Sequence, residues 1–151
     1  MDNGRLVFFQ KYNKITKARI KDTINMGLIV FLFGAAGYST IEYLFRGYTH
    51  WSMALTGGAC LLAFYYYAKS SRRTSLPVKA LAGAGIFTVF EFSVGLVVNI
   101  WYHWHVWDYS GQPGNIMGQI CPLFSFIWFV LCLFILIAHR NIRNIYYLFH
   151  G

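Results

Sequence analysis

Glu91 lies near the middle of a long apolar run, residues 78–101, and carries the most unusual chemistry in the sequence. An ionised carboxylate at the centre of a bilayer costs about 3 kcal/mol on insertion scales, so such a group is protonated, paired or placed beside a wet cavity. Asn99 follows two turns later on the same helix face, with Ser93 and Gly95 between them. We therefore predict that Glu91 and Asn99 belong to an intramembrane site for a substrate, an ion or a proton. The alternative is a protonated Glu91 whose hydrogen bond only joins two helices.

Glu42 lies near one end of the first apolar run and has Arg46 four positions further along. Opposite charges at this spacing pair on one helix face, so a local ion pair is one sufficient explanation of Glu42. Ser39 and Thr40 precede it and add polar groups that could face the other helices. We include Glu42 among the predicted site residues, with the ion pair as the alternative.

The segment 102–115 combines aromatic and polar side chains, and we predict that Asp108 and Asn115 in it border the same site. His103, His105 and Asp108 could supply metal ligands, but their spacing is not diagnostic of a metal site. Aromatic rings and imidazoles at a membrane interface explain the segment more simply, so we predict no metal.

The chain is expected to turn at Pro113-Gly114 and then to enter the last apolar run. Asn115 has a side chain suited to a helix N-cap, and Pro122 lies about one turn inside the run, where proline kinks a helix. Together they predict a kinked fourth helix that lines an outward-facing cavity. The alternative is that these residues only shape the re-entry of the chain.

The elements that must position these residues are membrane-spanning helices. The chain is 57% hydrophobic and only 12% charged, whereas soluble domains are roughly 45–50% apolar and about 25% charged. Its apolar residues fall into runs of about 20 residues, the length that crosses a hydrocarbon core of about 30 Å. These runs are 25–45, 51–68, 78–101 and 116–138. Pro77 stands where the third helix would begin, and recurring Gly and Ala predict close helix packing or a homo-oligomer.

The basic residues are distributed unevenly between the connections. Of 13 Lys and Arg, all but Arg46 fall in the N-terminal segment, around the second loop or after the fourth run. Cytoplasmic segments carry an excess of Lys and Arg, so we predict that both termini and the second loop are cytoplasmic. This asymmetry explains the formal charge of +8 without a nucleic-acid partner. Trp and Tyr crowd the opposite boundary like an interfacial belt: Tyr48, Trp51, Trp101, Tyr102, Trp104, Trp107 and Tyr109.

Residues 1–24 form a basic segment that precedes the first run. Lys14, Lys17 and Lys21 recur at helical spacing among apolar residues, a pattern typical of a helix on an anionic membrane surface. The alternative is a solvated arm that only fixes orientation, since the apolar face is poorly defined.

The sequence lacks the motifs that mark several common activities. There is no phosphate-binding G-x-x-x-x-G-K-[ST] loop, so any dependence on ATP requires a separate ATP-binding subunit. There is also no nucleophile elbow and no zinc-protease helix, and we predict a protein that is not an enzyme and needs no cofactor. The cysteines Cys60, Cys121 and Cys132 are odd in number, lie within apolar runs and are predicted to be free and buried.

One part of the chain resembles a known family. The residues concerned are 91–99, the segment His105-Val106-Trp107-Asp108-Tyr109-Ser110, and the following Pro113, Asn115, Gly118, Gln119, Ile120 and Cys121. Their pattern resembles that of the ABC-transporter permease family of the CmpB type, whose members are small bacterial membrane proteins. The W-D-Y-S segment followed by P, N and G-x-I is the specific part. The resemblance extends more loosely through Gly37, Glu42 and residues 43–51, and it departs at Gly114, where the family usually has a bulky apolar residue. It implies a permease.

Together these features predict an all-α integral membrane protein, a four-helix transmembrane bundle with a basic N-terminal interfacial helix. Its parts are a basic segment 1–24, a transmembrane domain 25–138 and a cytoplasmic tail 139–151. The predicted function is a transport component of the bacterial plasma membrane, either a permease-like subunit or a small carrier or channel for a solute or ion. The alternative is a non-transporting accessory protein that binds a partner through its basic cytoplasmic segments. The predicted partners are the lipid bilayer, a separate ATP-binding subunit and further copies of the chain.

Overall fold

The structure, a computed structural model, consists of four long α-helices. It describes the backbone of residues 3–71 and 73–150 and the side chains of residues 15–17, 19–71 and 73–142. The helices are α1 (Asn3–Arg46), α2 (Trp51–Ser70), α3 (Leu76–Gly95) and α4 (Pro122–His150), and α3 continues into a π-helix, Leu96–Trp101. No β-strand occurs within the described ranges, and the predicted all-α fold of four helices is confirmed.

Three of the four helices have the length and composition of membrane spans. Ile15–Arg46, Leu76–Trp101 and Pro122–Ile142 are each long and apolar enough to cross a bilayer. Helix α2 has 20 residues, but the three consecutive tyrosines at 65–67 and its several Gly, Ser and Thr residues make it less apolar than the others. One face of α4 exposes large apolar side chains, among them Leu123, Phe126, Val130 and Phe134, and in a membrane protein such a face meets lipid.

The basic N-terminal segment is helical and continuous with the first apolar run. Helix α1 extends from Asn3 to Arg46 without a break, so no turn separates a surface helix from the span. At 1.5 Å per residue, a helix of this length is much longer than a hydrocarbon core of about 30 Å. Part of α1 therefore projects beyond the membrane-spanning portion.

Helices that follow one another in the chain pack against one another. Helix α1 packs on α2, α2 on α3, and α3 on α4, whereas no described residue of α1 has its Cα within 8 Å of a Cα of α4. Small residues allow the closest approaches, as predicted: a Cβ at Gly34 would clash with the carbonyl group of Gly57, and one at Gly83 would lie 2.6 Å from the Phe64 ring. The bundle is thus most closely packed between α1 and α2 and between α3 and α4, and it is more open between α1 and α4.

The start of the fourth helix differs from the prediction. Pro122 does not kink α4 but begins it, since proline lacks an N–H and fits the first helical turn. Residues 116–121 form a loop closed by a bridge between Ile116 and Ile120, with Met117 and Gly118 at positive φ. Asn115 therefore does not cap α4. Pro77 begins α3 as predicted, and Pro113-Gly114 lies in a turn with Gly114 at φ +69°.

Two loops meet at one end of the bundle, which we call the Trp-rich end and define as residues 46–51 and 101–121. The Arg46 guanidinium donates to the Val106 carbonyl at 2.6 Å, and the His50 ring lies 5.4 Å from that of Trp104. Val106, Trp107, Gln119 and Cys121 are buried there. The long loop between the π-helix and α4, residues 102–121, therefore folds into the bundle rather than over it.

Candidate functional site

Glu91 lies on α3 in the interior of the bundle and is only 1% exposed. Its Oε1 accepts hydrogen bonds from the Tyr38 hydroxyl on α1 at 3.0 Å and from the Tyr109 hydroxyl in the long loop at 3.3 Å. Its Oε2 accepts from Nε1 of Trp128 on α4 at 2.7 Å. The carboxyl therefore joins three parts of the chain that are far apart in sequence.

Aromatic packing fixes the groups that donate to Glu91. The Trp128 ring stacks between Tyr38 and Phe87, at centroid distances of 5.2 and 5.1 Å. The Tyr109 ring stacks on Phe124 at 4.3 Å. Stacking restricts the rotation of these rings, most of all that of Trp128, which is stacked on both sides, and so keeps the donors oriented toward the carboxyl.

The chemistry of this cluster suits a proton better than a metal ion. All the side chains that bind Glu91 do so through N–H or O–H groups, and no cation lies among them. The indole N–H of Trp128 can only donate, whereas a phenol hydroxyl can also turn and accept. The cluster can thus hold an ionised carboxylate through three donors or a neutral acid after the tyrosine hydroxyls reorient. No group of three His, Cys, Asp or Glu that could bind a metal occurs within the described residues.

Asn99 lies in the π-helix, is buried, and joins it to the long loop. Its Nδ2 donates to Oε1 of Gln119 at 2.8 Å, and its Oδ1 accepts from the Val106 N–H at 2.7 Å. The Gln119 carbonyl accepts from the Trp107 indole at 3.0 Å. Gly95 allows this approach, since a Cβ there would clash with the Gln119 amide. Asn99 is therefore bound by the loop itself.

Glu42 forms the predicted ion pair with Arg46, and both also bind other parts of the Trp-rich end. The second oxygen of Glu42 accepts from the Thr49 hydroxyl at 2.7 Å. Arg46 reaches the Val106 carbonyl and lies 5.1 Å from the Tyr48 ring centroid. The pair links α1 to the long loop.

Asp108 and Asn115 stabilise turns within the long loop. Asp108 accepts from the Ser110 N–H at 2.8 Å and from its hydroxyl at 2.9 Å, and these hydrogen bonds hold the pKa of the exposed Asp108 carboxyl below its ordinary value. The Asn115 amide donates to the carbonyls of Ser110 and Gln112, and its oxygen accepts from the Gly118 N–H.

The residues predicted to form one site thus lie in three hydrogen-bonded groups. Glu91 is bound by aromatic donors, and Glu42 and Asn99 are connected through Arg46 and Val106. Asp108 and Asn115 meet through Ser110. No described hydrogen bond joins Glu91 directly to any of the other four.

Tyr38 and Trp128 were not singled out from the sequence, and Tyr109 was assigned to the interfacial belt. Trp107 and Tyr109 point inward instead, with Trp107 only 5% exposed. Trp51, Trp101, Tyr102, Trp104 and Tyr48 are exposed, consistent with a belt. A signal was present, because a Tyr or Trp in the middle of an apolar span needs a partner for its polar atom.

Comparison with known proteins identifies one family. Residues 53–150 match the model of a family described as "Putative ABC-transporter type IV", of the CmpB type. The match includes α3, the long loop with its W-D-Y-S segment, and α4. No curated protein and no solved structure matches the chain significantly.

Proposed function

The chain belongs to the ABC-transporter type IV family of the CmpB type, and from this premise we propose that it is a membrane-embedded transport component in which the Glu91 carboxyl is the intramembrane site. The family makes it an ABC-transporter-related membrane protein. In this role the Glu91 carboxyl either binds the transported species or exchanges a proton during transport. The observation that supports this role is the burial of that carboxyl among three oriented donors.

The free-energy cost of placing a carboxyl inside a membrane span is the main argument that Glu91 is functional. A carboxyl in a span requires several interactions to be tolerated, and ionisable groups within membranes mark ion, proton or substrate sites by default. A helix-joining role alone would be met by a neutral polar residue with a smaller desolvation cost. Glu91 is instead surrounded by donors that stabilise its charged form and can adapt to its neutral form.

The arrangement in the membrane follows from the charges. We place the bundle across the plasma membrane four times, with both termini and the Lys69–Lys79 region in the cytoplasm and the Trp-rich end outside. All basic residues except Arg46 then lie on the cytoplasmic side. Helix α2 crosses as well, since it is 20 residues long and packs between α1 and α3.

A transport component of this size works with partners. The sequence has no phosphate-binding loop, so ATP hydrolysis would come from a separate subunit. The interior of one bundle is largely filled by its own side chains, which favours assembly with further copies or with another membrane subunit. The basic cytoplasmic segments are the surface available to an ATP-binding subunit.

Purification from the native membrane tests the transport role. The tagged chain, extracted in mild detergent, should carry a stoichiometric ATP-binding protein whose ATPase activity depends on the chain. Recovery of the chain alone as a defined oligomer would instead indicate a self-contained carrier or channel. If it carries neither an ATPase nor any flux after reconstitution into liposomes, the transport role is wrong.

A non-transporting accessory subunit is the second candidate, and one observation favours it. Among the described residues, every buried side-chain N or O atom has a hydrogen-bond partner, Glu91 included. A fully satisfied carboxyl can be structural. In that function Glu91→Gln would lower the stability of the bundle and leave any flux of the complex unchanged.

A further inference from the structure

An apolar groove lies between α1 and α4, where the bundle is open. Gly34, Gly37 and Ile41 line it on α1, and Leu131 and Ile135 line it on α4. Its volume is about 110 Å³. Gly37 is exposed and has no atom within 4 Å of the position of a Cβ, so the groove opens sideways at this residue.

The floor of the groove consists of the rings that hold Glu91. Tyr38, Phe87 and Trp128 line it, and Tyr38 and Trp128 both donate to the carboxyl. Whatever occupies the groove therefore packs against the groups that orient Glu91.

The groove is separated from both ends of the bundle by packed side chains. Toward the Trp-rich end the long loop fills the interior with Trp107 and Gln119, which are each 5% exposed. Toward the other end Phe64, one turn beyond Leu61 of the groove lining on α2, is only 2% exposed. The opening at Gly37 lies on the outward faces of α1 and α4, which in a membrane protein meet hydrocarbon.

From this geometry we propose that the groove between α1 and α4 binds a hydrocarbon chain of a membrane lipid. It is continuous with the lipid-facing surface of the bundle. Apolar cavities of roughly 150 Å³ stay dry and take up small hydrocarbons rather than water.

Photo-crosslinking tests this site directly. The full chain is reconstituted in vesicles of phosphatidylethanolamine and phosphatidylglycerol that contain a phosphatidylglycerol with a diazirine on one acyl chain. After illumination, mass spectrometry should locate labelled residues in the α1 and α4 segments that line the groove. This labelling should reach a plateau as the mole fraction of the photoreactive lipid rises, whereas labelling by bulk lipid should increase in proportion to that mole fraction.

Two glycines provide a matched pair of variants. Gly37→Phe adds a ring at the opening of the groove, where a Cβ meets no atom, and should remove the saturable labelling. Gly85→Phe is the control, because Gly85 also has no atom within 4 Å of a Cβ and lines a separate groove between α3 and α4 that shares no residue with the first. Gly85→Phe should leave labelling of the groove unchanged.

Other outcomes would overturn the proposal. Labelling that is spread over all lipid-facing residues and does not respond to Gly37→Phe would show contact with bulk lipid only. Crosslinks between copies of the chain at the groove, lost in Gly37→Phe, would show that a second copy occupies it. If Gly37→Phe does not assemble, non-saturable labelling of the wild-type groove is sufficient to reject the site. Crosslinking of lipid does not depend on transport. Its result therefore tests the groove separately from the role proposed for Glu91.

Discussion

The Tyr109 hydroxyl lies 3.3 Å from Oε1 of Glu91, although Tyr109 belongs to a loop and Glu91 to the interior of α3. The contact connects the Trp-rich end to the intramembrane carboxyl. Tyr109 is also fixed through its backbone, since its N–H donates to the Gly118 carbonyl at 2.8 Å. The fold of the long loop therefore positions one of the groups that bind Glu91.

Tyr109→Phe should lower the stability of the bundle by about 1 kcal/mol, the usual contribution of one hydrogen bond. The ring and its stacking on Phe124 remain, so the loss reports the hydroxyl alone. Thermal unfolding in detergent measures it. Tyr102→Phe, in the same loop but 56% exposed, is the matched control and should have little effect. Equal effects of the two substitutions would argue against the contact with Glu91.

Gly34→Ala should destabilise the protein by about 1–3 kcal/mol, because the added methyl group pushes α1 away from the backbone of α2. Gly37→Ala, one turn further along α1, meets no atom and should be neutral or stabilising by about 0.5–1 kcal/mol, as expected for Gly to Ala within a helix. Denaturant unfolding of both variants in the same detergent gives the comparison. A neutral Gly34→Ala would show that α1 and α2 do not cross at Gly34 and Gly57.

Arg46→Met should destabilise the Trp-rich end, because it leaves the Glu42 carboxylate without its cation and the Val106 carbonyl without its donor. We expect a loss of about 2 kcal/mol, since the pair is partly buried and lies between surface and interior cases. Adding Glu42→Gln to this variant should restore part of the stability. A double variant that is no more stable than Arg46→Met would mean that the two residues are not coupled.

Asp108 predicts a dependence of loop stability on pH. Its folded-state pKa lies below its ordinary value of about 3.9, so its contribution is present above the unfolded-state pKa and is lost as the pH falls through the folded-state pKa. Asp108→Asn should remove this dependence at acidic pH without changing α3 or α4. The measurement is the hydrogen exchange rate of the Ser110 amide across acidic pH, compared between the wild type and the variant. If the variant shows the same stability change with pH as the wild type, the assignment to Asp108 is wrong.

The helices were predictable because their signals are local. Runs of apolar residues, Pro77 at a helix start and the spacing of Glu42 and Arg46 all act within a few residues. The partners of Glu91 were not predictable in this way, since Tyr38 lies 53 positions away and Trp128 lies 37 positions away. Pro122 and Asn115 were misjudged because the loop closes on itself through Gly118 and the Ile116–Ile120 bridge, which delays the start of α4.

Proton movement in reconstituted vesicles tests the central claim most directly. The chain, purified with the subunits that accompany it, is placed in liposomes that contain a pH-sensitive dye, and a pH gradient is applied with and without ATP. Glu91→Gln can still accept from Trp128 through its amide oxygen while its NH₂ donates to a reoriented tyrosine hydroxyl, so it should fold. Ser93→Ala is the control on the same helix, since Ser93 is exposed and binds only the Val89 carbonyl. We expect proton movement in the wild type and in Ser93→Ala, and its loss in a correctly assembled Glu91→Gln; undiminished movement in Glu91→Gln would contradict the role assigned to this carboxyl.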